Sequence, residues 1–207
     1  MDNDKLKYGV IGLFVGTLAS WFLTTIIYNA PQSNMMASNT SKQAATTLDA
    51  HFIEQMIPHH EDAIIMAKLA QTKAQKPEIK QLAENIITSQ GTEINQMKDW
   101  YKSWFGKEVP EGNNVMNQHG MSAGGSTHMG MMGNETDMTR LENAADFDKA
   151  FIEEMIPHHQ MAVMMANMLK GGTQRSEMKQ LVDDIVSAQT TEINQMRQWY
   201  IDWGYTQ

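Results

Sequence analysis

Met56-Ile57-Pro58-His59-His60 returns, residue for residue, as Met155-Ile156-Pro157-His158-His159, an offset of 155 − 56 = 99 positions. Two adjacent histidines behind a proline are unusual in a helix, and a thioether one turn earlier adds a second kind of ligand. Imidazole together with methionine sulfur points to a soft or borderline metal.

The same offset holds far beyond these five residues. Phe52-Ile53-Glu54 matches Phe151-Ile152-Glu153, Met66-Ala67 matches Met165-Ala166, and Thr92 through Met97 match Thr191 through Met196. Trp100, Tyr101 and Trp104 match Trp199, Tyr200 and Trp203 without a gap. The chain is therefore an internal duplication. A unit two helices long cannot bury its apolar face alone and needs its other copy.

Composition narrows the function. The 207 residues carry a formal net charge of −8 and no long Lys/Arg run, which argues against a nucleic-acid partner. With no cysteine there is no disulfide, thiolate nucleophile or cysteine-based zinc site, whereas 19 methionines exceed what core filling usually asks for.

Along the chain, Gly9 to Tyr28 is uncharged and long enough to span a bilayer as a helix, and Lys5 and Lys7 precede it. This orientation predicts a cytoplasmic N-terminus with the rest of the chain on the periplasmic or extracellular face, anchored to the inner or plasma membrane. A cleaved signal is the weaker reading, because Tyr28-Asn29-Ala30 followed by Pro31 is a poor cleavage pattern. Residues 1–28 are thus read as the anchor and 29–47, rich in Ser, Asn, Thr and Gln, as a flexible tether. Residues 48–106 form a first helical hairpin turning near 73–76, with Pro58 expected to kink its first helix and Pro77 to open its second. The second helix has a seam at Ile79, Leu82, Ile86, Gln90, Glu93, Met97, Trp100 and Trp104. Residues 146–207 repeat the hairpin, with Gly171-Gly172 breaking the chain and Ser176 as a cap. The aromatic groups Trp100/Tyr101/Trp104 and their repeats read as a hydrophobic plug.

Residues 107–145 separate the copies and are too long and too rich in Gly, Ser and Asn for an ordinary bundle loop. They contain His119, Met121, His128 and Met129 among further methionines, without apolar periodicity, and read as a low-specificity metal-catching arm.

In a hairpin, residues equidistant from the turn face one another. This places His59 and His60 opposite the Gln90-to-Glu93 turn and Met56 close to Met97, with Met66 a further candidate ligand. Glu93 or Gln90 is then positioned to hold a histidine's second ring nitrogen. Thioether plus imidazole suits Cu(I), and by analogy Ag(I), better than iron or manganese. The Glu-x-x-His pairs of di-iron bundles are missing, as are a nucleophile elbow, a phosphate loop and a His-Glu-x-x-His zinc motif, so no enzyme is expected. A metal oxidase or peroxidase, and a tethered interaction module whose methionines only pack, are the rival readings.

Phe52-Ile53-Glu54-Gln55-Met56-Ile57-Pro58-His59-His60, followed by Ala63 and Met66-Ala67, resembles the signature of a formerly uncharacterised, ferritin-like family of duplicated helical proteins that includes a periplasmic copper-binding protein. The second copy repeats the signature from Phe151 to Ala166. The resemblance implies an all-α, ferritin-like four-helix bundle and a part in extracytoplasmic copper resistance, storage or delivery. The ligand set it implies is Met56, His59, His60, Met66 and Met97, then Met155, His158, His159, Met165 and Met196. The expected partners are the metal ion, the membrane through residues 9–28, and a copper efflux or delivery protein. Gln160 and Met161 replace Glu61 and Asp62 in the second copy, so the two sites are expected to differ in softness.

Overall fold

The computed structural model describes residues 32–110 and 138–205, and for 32–44 the helical backbone alone. Among the described residues all regular structure is helical: α1 (Gln32–Lys73), α2 (Pro77–Phe105), a short α3 (Met138–Glu142), α4 (Phe147–Lys170) and α5 (Ser176–Asp202). Of the described residues, 45–110 and 138–205 form one compact unit and 32–44 belong to another.

Each copy is a hairpin, and the two hairpins pack with opposite ends together. One apolar cluster joins Ala63, Met66, Ala67 and Ala70 of α1 and Ile79, Leu82 and Ile86 of α2 to Phe151, Ile152 and Met155 of α4 and Met196 of α5. The other joins Phe52, Ile53, Met56 and Ile57 of α1 and Ile94, Met97 and Tyr101 of α2 to Ala162, Ala166 and Leu169 of α4 and Met178, Leu181 and Ile185 of α5. The turn end of each hairpin therefore lies against the open end of the other. Between the clusters, at mid-height, every long helix carries polar residues: His59 and His60, Gln90 and Glu93, His158 and His159, Gln189 and Glu192.

Reciprocal contacts lock this arrangement. The buried Asp148 of α4 accepts hydrogen bonds from the backbone N–H groups of Gln75 and Lys76, each at 3.1 Å, at the turn of the first hairpin. Its repeat counterpart, the buried Asp49, meets Arg175 Nε at 3.3 Å at the turn of the second. Burial raises the Asp49 carboxyl above its ordinary range, while Thr173 and Arg175 pull it back. Stacked pairs Trp100–Trp104 and Trp199–Trp203 close opposite ends of the bundle, and each receives a cation from the other copy. Arg175 lies 4.0 Å from the Trp104 ring and Lys76 4.9 Å from that of Trp203.

Several details depart from the sequence reading. The tether expected at 29–47 is helical from Gln32 onward; no Gly or Pro interrupts it after Pro31, and extending a helix adds one hydrogen bond per residue without a new nucleus. Residues 138–145 do not belong to the linker: Leu141 is fully buried, and Met138 and Ala144 pack against the core. The buried face of α2 follows the seam through Gln90 and then shifts to Ile94, Met97 and Tyr101, leaving Glu93, Trp100 and Trp104 half-buried. A heptad falls about 20° short on a straight helix, so two heptads on from Ile79 the residue after Glu93 points inward. Ser176 is the first residue of α5 rather than its cap; its hydroxyl turns to Glu177, and Thr173 Oγ1 accepts from the Arg175 N–H. Pro58 and Pro157 lie inside α1 and α4, which continue on both sides. Among the described residues no helix is long and apolar enough to cross a membrane, and the expected anchor at 9–28 lies outside them.

Replacing Asp148 by Ala would leave two N–H groups at the opposite turn without their acceptor, at a cost of about 1–3 kcal/mol. Urea unfolding should show a lowered midpoint with an unchanged slope; an unmoved midpoint would remove the cross-copy latch.

Candidate metal centre

The polar layer places two carboxylates at the ends of a row of four imidazoles. His60 Nε2 meets Glu93 Oε2 at 2.7 Å, and His159 Nε2 meets Glu192 Oε2 at 2.6 Å. Both histidines are fully buried. A carboxylate oxygen only accepts, so in each pair Nε2 carries a proton, and in the neutral ring Nδ1 would keep its lone pair. Neither Nδ1 has a hydrogen-bond partner.

The inner members of the row come from different copies. The His59 and His158 rings lie 3.8 Å apart by centroid, tilted by 40°, and each sits 6.3 Å from its neighbour His60 or His159. Both nitrogens of His59 and Nδ1 of His158 are buried without a hydrogen-bond partner, as are the Oε1 atoms of Gln90 and Gln189. Burial, followed by the neighbouring His60 and His159, lowers the His59 imidazole to about 3. Burial and then His59 push His158 well below its ordinary value. Both rings therefore stay neutral, with lone pairs available, well into acid.

The methionines lie above and below this layer. Met56 and Met97 share one cluster, as the hairpin geometry anticipates, and Met155 and Met196 share the other; all four are fully buried. Met66 and Met165 are exchanged relative to the expected sets. Met66 is fully buried in the cluster of Met155 and Met196, while the half-buried Met165 packs against that of Met56 and Met97. The cause is that both lie two turns beyond the histidines, on the far side of the layer from Met56 and Met155 respectively. His119, Met121, His128 and Met129 lie outside the described residues.

The facing of His59 and His158 is absent from the sequence reading, which treats each hairpin separately. Its signal was the offset itself, since 158 − 59 = 99. Where two copies pack about a two-fold axis, a residue near the axis meets its own counterpart. Among the described residues no three His, Asp or Glu side chains converge to hold an ion by themselves. The donors fit a soft ion rather than a hard one: neutral imidazoles with free lone pairs, carboxylates orienting them from behind, and thioethers on either side.

The profile of the family described as a domain of unknown function, DUF305, matches residues 49–200. The chain belongs to that family. Among solved structures, CopM in its Cu(I)-bound form is 47% identical and superposes with a TM-score of 0.63 over 75% of this chain and 97% of that one. The Ag-bound form, obtained by co-crystallisation, gives a TM-score of 0.64 at the same identity and coverage. A secreted DUF305 protein from Streptomyces coelicolor shares the fold at 24% identity, with a TM-score of 0.64 over 78% of this chain and 96% of its own. An uncharacterised protein, L153, of Acanthamoeba polyphaga mimivirus is 49% identical over 49 residues, so this chain spans about a third of its length, 32%.

The depressed inner histidines set a pH dependence. Unfolded, each titrates near 6.5 and takes a proton that the folded ring refuses, so their contribution to stability is present above pH 6.5 and is lost as pH falls, for His59 down toward about 3. The slope is up to about 1.4 kcal/mol per pH unit for each ring. Urea midpoints at pH 7.5, 6 and 5 should fall more steeply for the parent than for a His59→Phe/His158→Phe variant; parallel curves would contradict the burial of neutral imidazoles.

Proposed function

We propose that the protein binds copper as Cu(I), and Ag(I) in its place, outside the cytoplasm, and that it stores, buffers or delivers the ion in copper resistance. The observation that carries this is the row of four imidazoles, two backed by carboxylates, with five unpartnered ring nitrogens between two groups of buried methionines. Leaving buried polar atoms without partners costs roughly 1–3 kcal/mol each, a large sum against a domain's net stability of about 5–15 kcal/mol. A bound ion would offset that cost. The 47% identity to CopM, known with Cu(I), Cu(II) and Ag bound, supports the same choice of metal.

In this reading the carboxylates of Glu93 and Glu192 fix the tautomer and ring orientation of His60 and His159, presenting Nδ1 as donor. His59 and His158 bring the two copies to a common centre, and Met56, Met97, Met155 and Met196 supply the soft donors that imidazoles alone lack. Met66 and Met165 extend the thioether set on either side, and His119, Met121, His128 and Met129 add capacity at lower affinity. The bundle is ferritin-like, tethered by residues 9–28 and handing its ion to an efflux or delivery protein. We read it as a binding protein rather than an enzyme, on the sequence's lack of cysteine, a nucleophile elbow, a phosphate loop and a His-Glu-x-x-His motif.

Metal analysis after anaerobic Cu(I) loading tests the reading. Replacing His59, His60, His158 and His159 by Ala should abolish tight binding, and Glu93→Gln with Glu192→Gln should weaken it about 10–100-fold. Replacing Met56, Met97, Met155 and Met196 by Leu conserves volume, so circular dichroism should stay helical while Cu(I) and Ag(I) are lost and weak Cu(II) or Zn(II) binding remains. A Leu variant that holds Cu(I) as tightly as the parent would return these methionines to packing alone.

A further inference from the structure

One face of α4 differs between the two copies. In α4, Met161, Met164, Met165 and Met168 stand where the first copy has Asp62, Ile65, Met66 and Leu69. At 100° per residue these four methionines fall within an arc of about 100°, on one face over two turns. Met168 is 72% exposed and Met164 38%, while Met161 and Met165 are half-buried.

An exposed apolar side chain alone is unremarkable. Here the stripe is graded. Its outer members lie in solvent, Met165 packs against the cluster that contains Met56 and Met97, and His158 lies one turn before Met161 on the same side of the helix. Helical spacing thus sets thioethers at successive turns from the exposed Met168 to Met161, one turn from His158. The first copy has no such run: of the equivalent positions only Met66 bears sulfur, and it is fully buried. Leucine would fill the same volume with at least equal helix propensity, so what methionine adds at these positions is a neutral, polarisable donor. A soft monovalent cation can pass along such donors by exchanging one weak ligand for the next, whereas a hard divalent ion would not leave its water for them.

We propose that Met161, Met164, Met165 and Met168 form a one-sided thioether port through which Cu(I) or Ag(I) reaches and leaves the imidazole layer. The proposal rests on the copper reading above, and assigns to the second copy a transfer role that the first lacks. The port sets rates; the buried ligands set affinity.

The test uses the full chain and a Met164→Leu/Met168→Leu variant, loaded anaerobically with Cu(I). The ion is then withdrawn by a chromogenic Cu(I) chelator of the bicinchoninate type. Expected is release and uptake slowed by about tenfold or more, because the local concentration of soft donors at the surface is lost, with the equilibrium affinity unchanged. Unchanged rates would overturn the port, and a lost tight affinity would make these residues ligands of the main site instead. A parent chain that takes up no Cu(I) would overturn the copper reading and the port together. Circular dichroism checks the fold, and if the double variant is not helical, Met168→Leu alone, at the most exposed position, must slow exchange.

Discussion

Two imidazoles face each other across the axis that relates the copies, and the rest of the bundle is arranged about that contact. A neutral histidine pair at 3.8 Å in a buried layer is an unfavourable thing to build, since each ring keeps nitrogens that water would otherwise satisfy. The fold accommodates it by confining polarity to a single level. Above and below lie separate apolar clusters that supply the driving force, and at the ends of the row Glu93 and Glu192 fix the outer rings.

Much of this was legible in the sequence because duplication and helical period are both local patterns. The hairpin turn and Pro77 opening α2 follow from local signals, and counting outward from the turn puts the histidine pair opposite the stretch from Gln90 to Glu93, where His60 meets Glu93. What resisted was whatever depended on how one hairpin lies against the other. Nothing within a hairpin shows that Met66 will share a cluster with Met155 rather than Met56. Nor does it show that Asp148 will cap a turn seventy residues earlier in the chain, because opposed packing is decided by surface fit. The helical stretch before residue 48 was missed for a different reason: its polar composition resembles a linker, while the continuity of a helix already nucleated downstream outweighs that bias.

The copies have diverged on one side more than the other. The Tyr101 hydroxyl is buried and donates to Glu54 at 2.5 Å, and burial followed by that carboxylate raises its pKa. The corresponding Tyr200 donates to Glu153 at 2.8 Å in an exposed setting. Buried Met66 and half-buried Met165 show the same contrast. The two-fold layout is preserved where the histidines need it and relaxed at the periphery.

The latches formed by Asp49 and Asp148 carry an implication about origins. Each hairpin reaches across to the turn of the other, a contact that a single hairpin could find only in a second copy of itself. The molecule has the layout of a homodimer whose two halves are joined end to end. The joining raises the effective concentration of one half for the other and leaves the halves free to differ. A symmetric assembly must change both faces at once; a fused one can place a chemical group on one face alone.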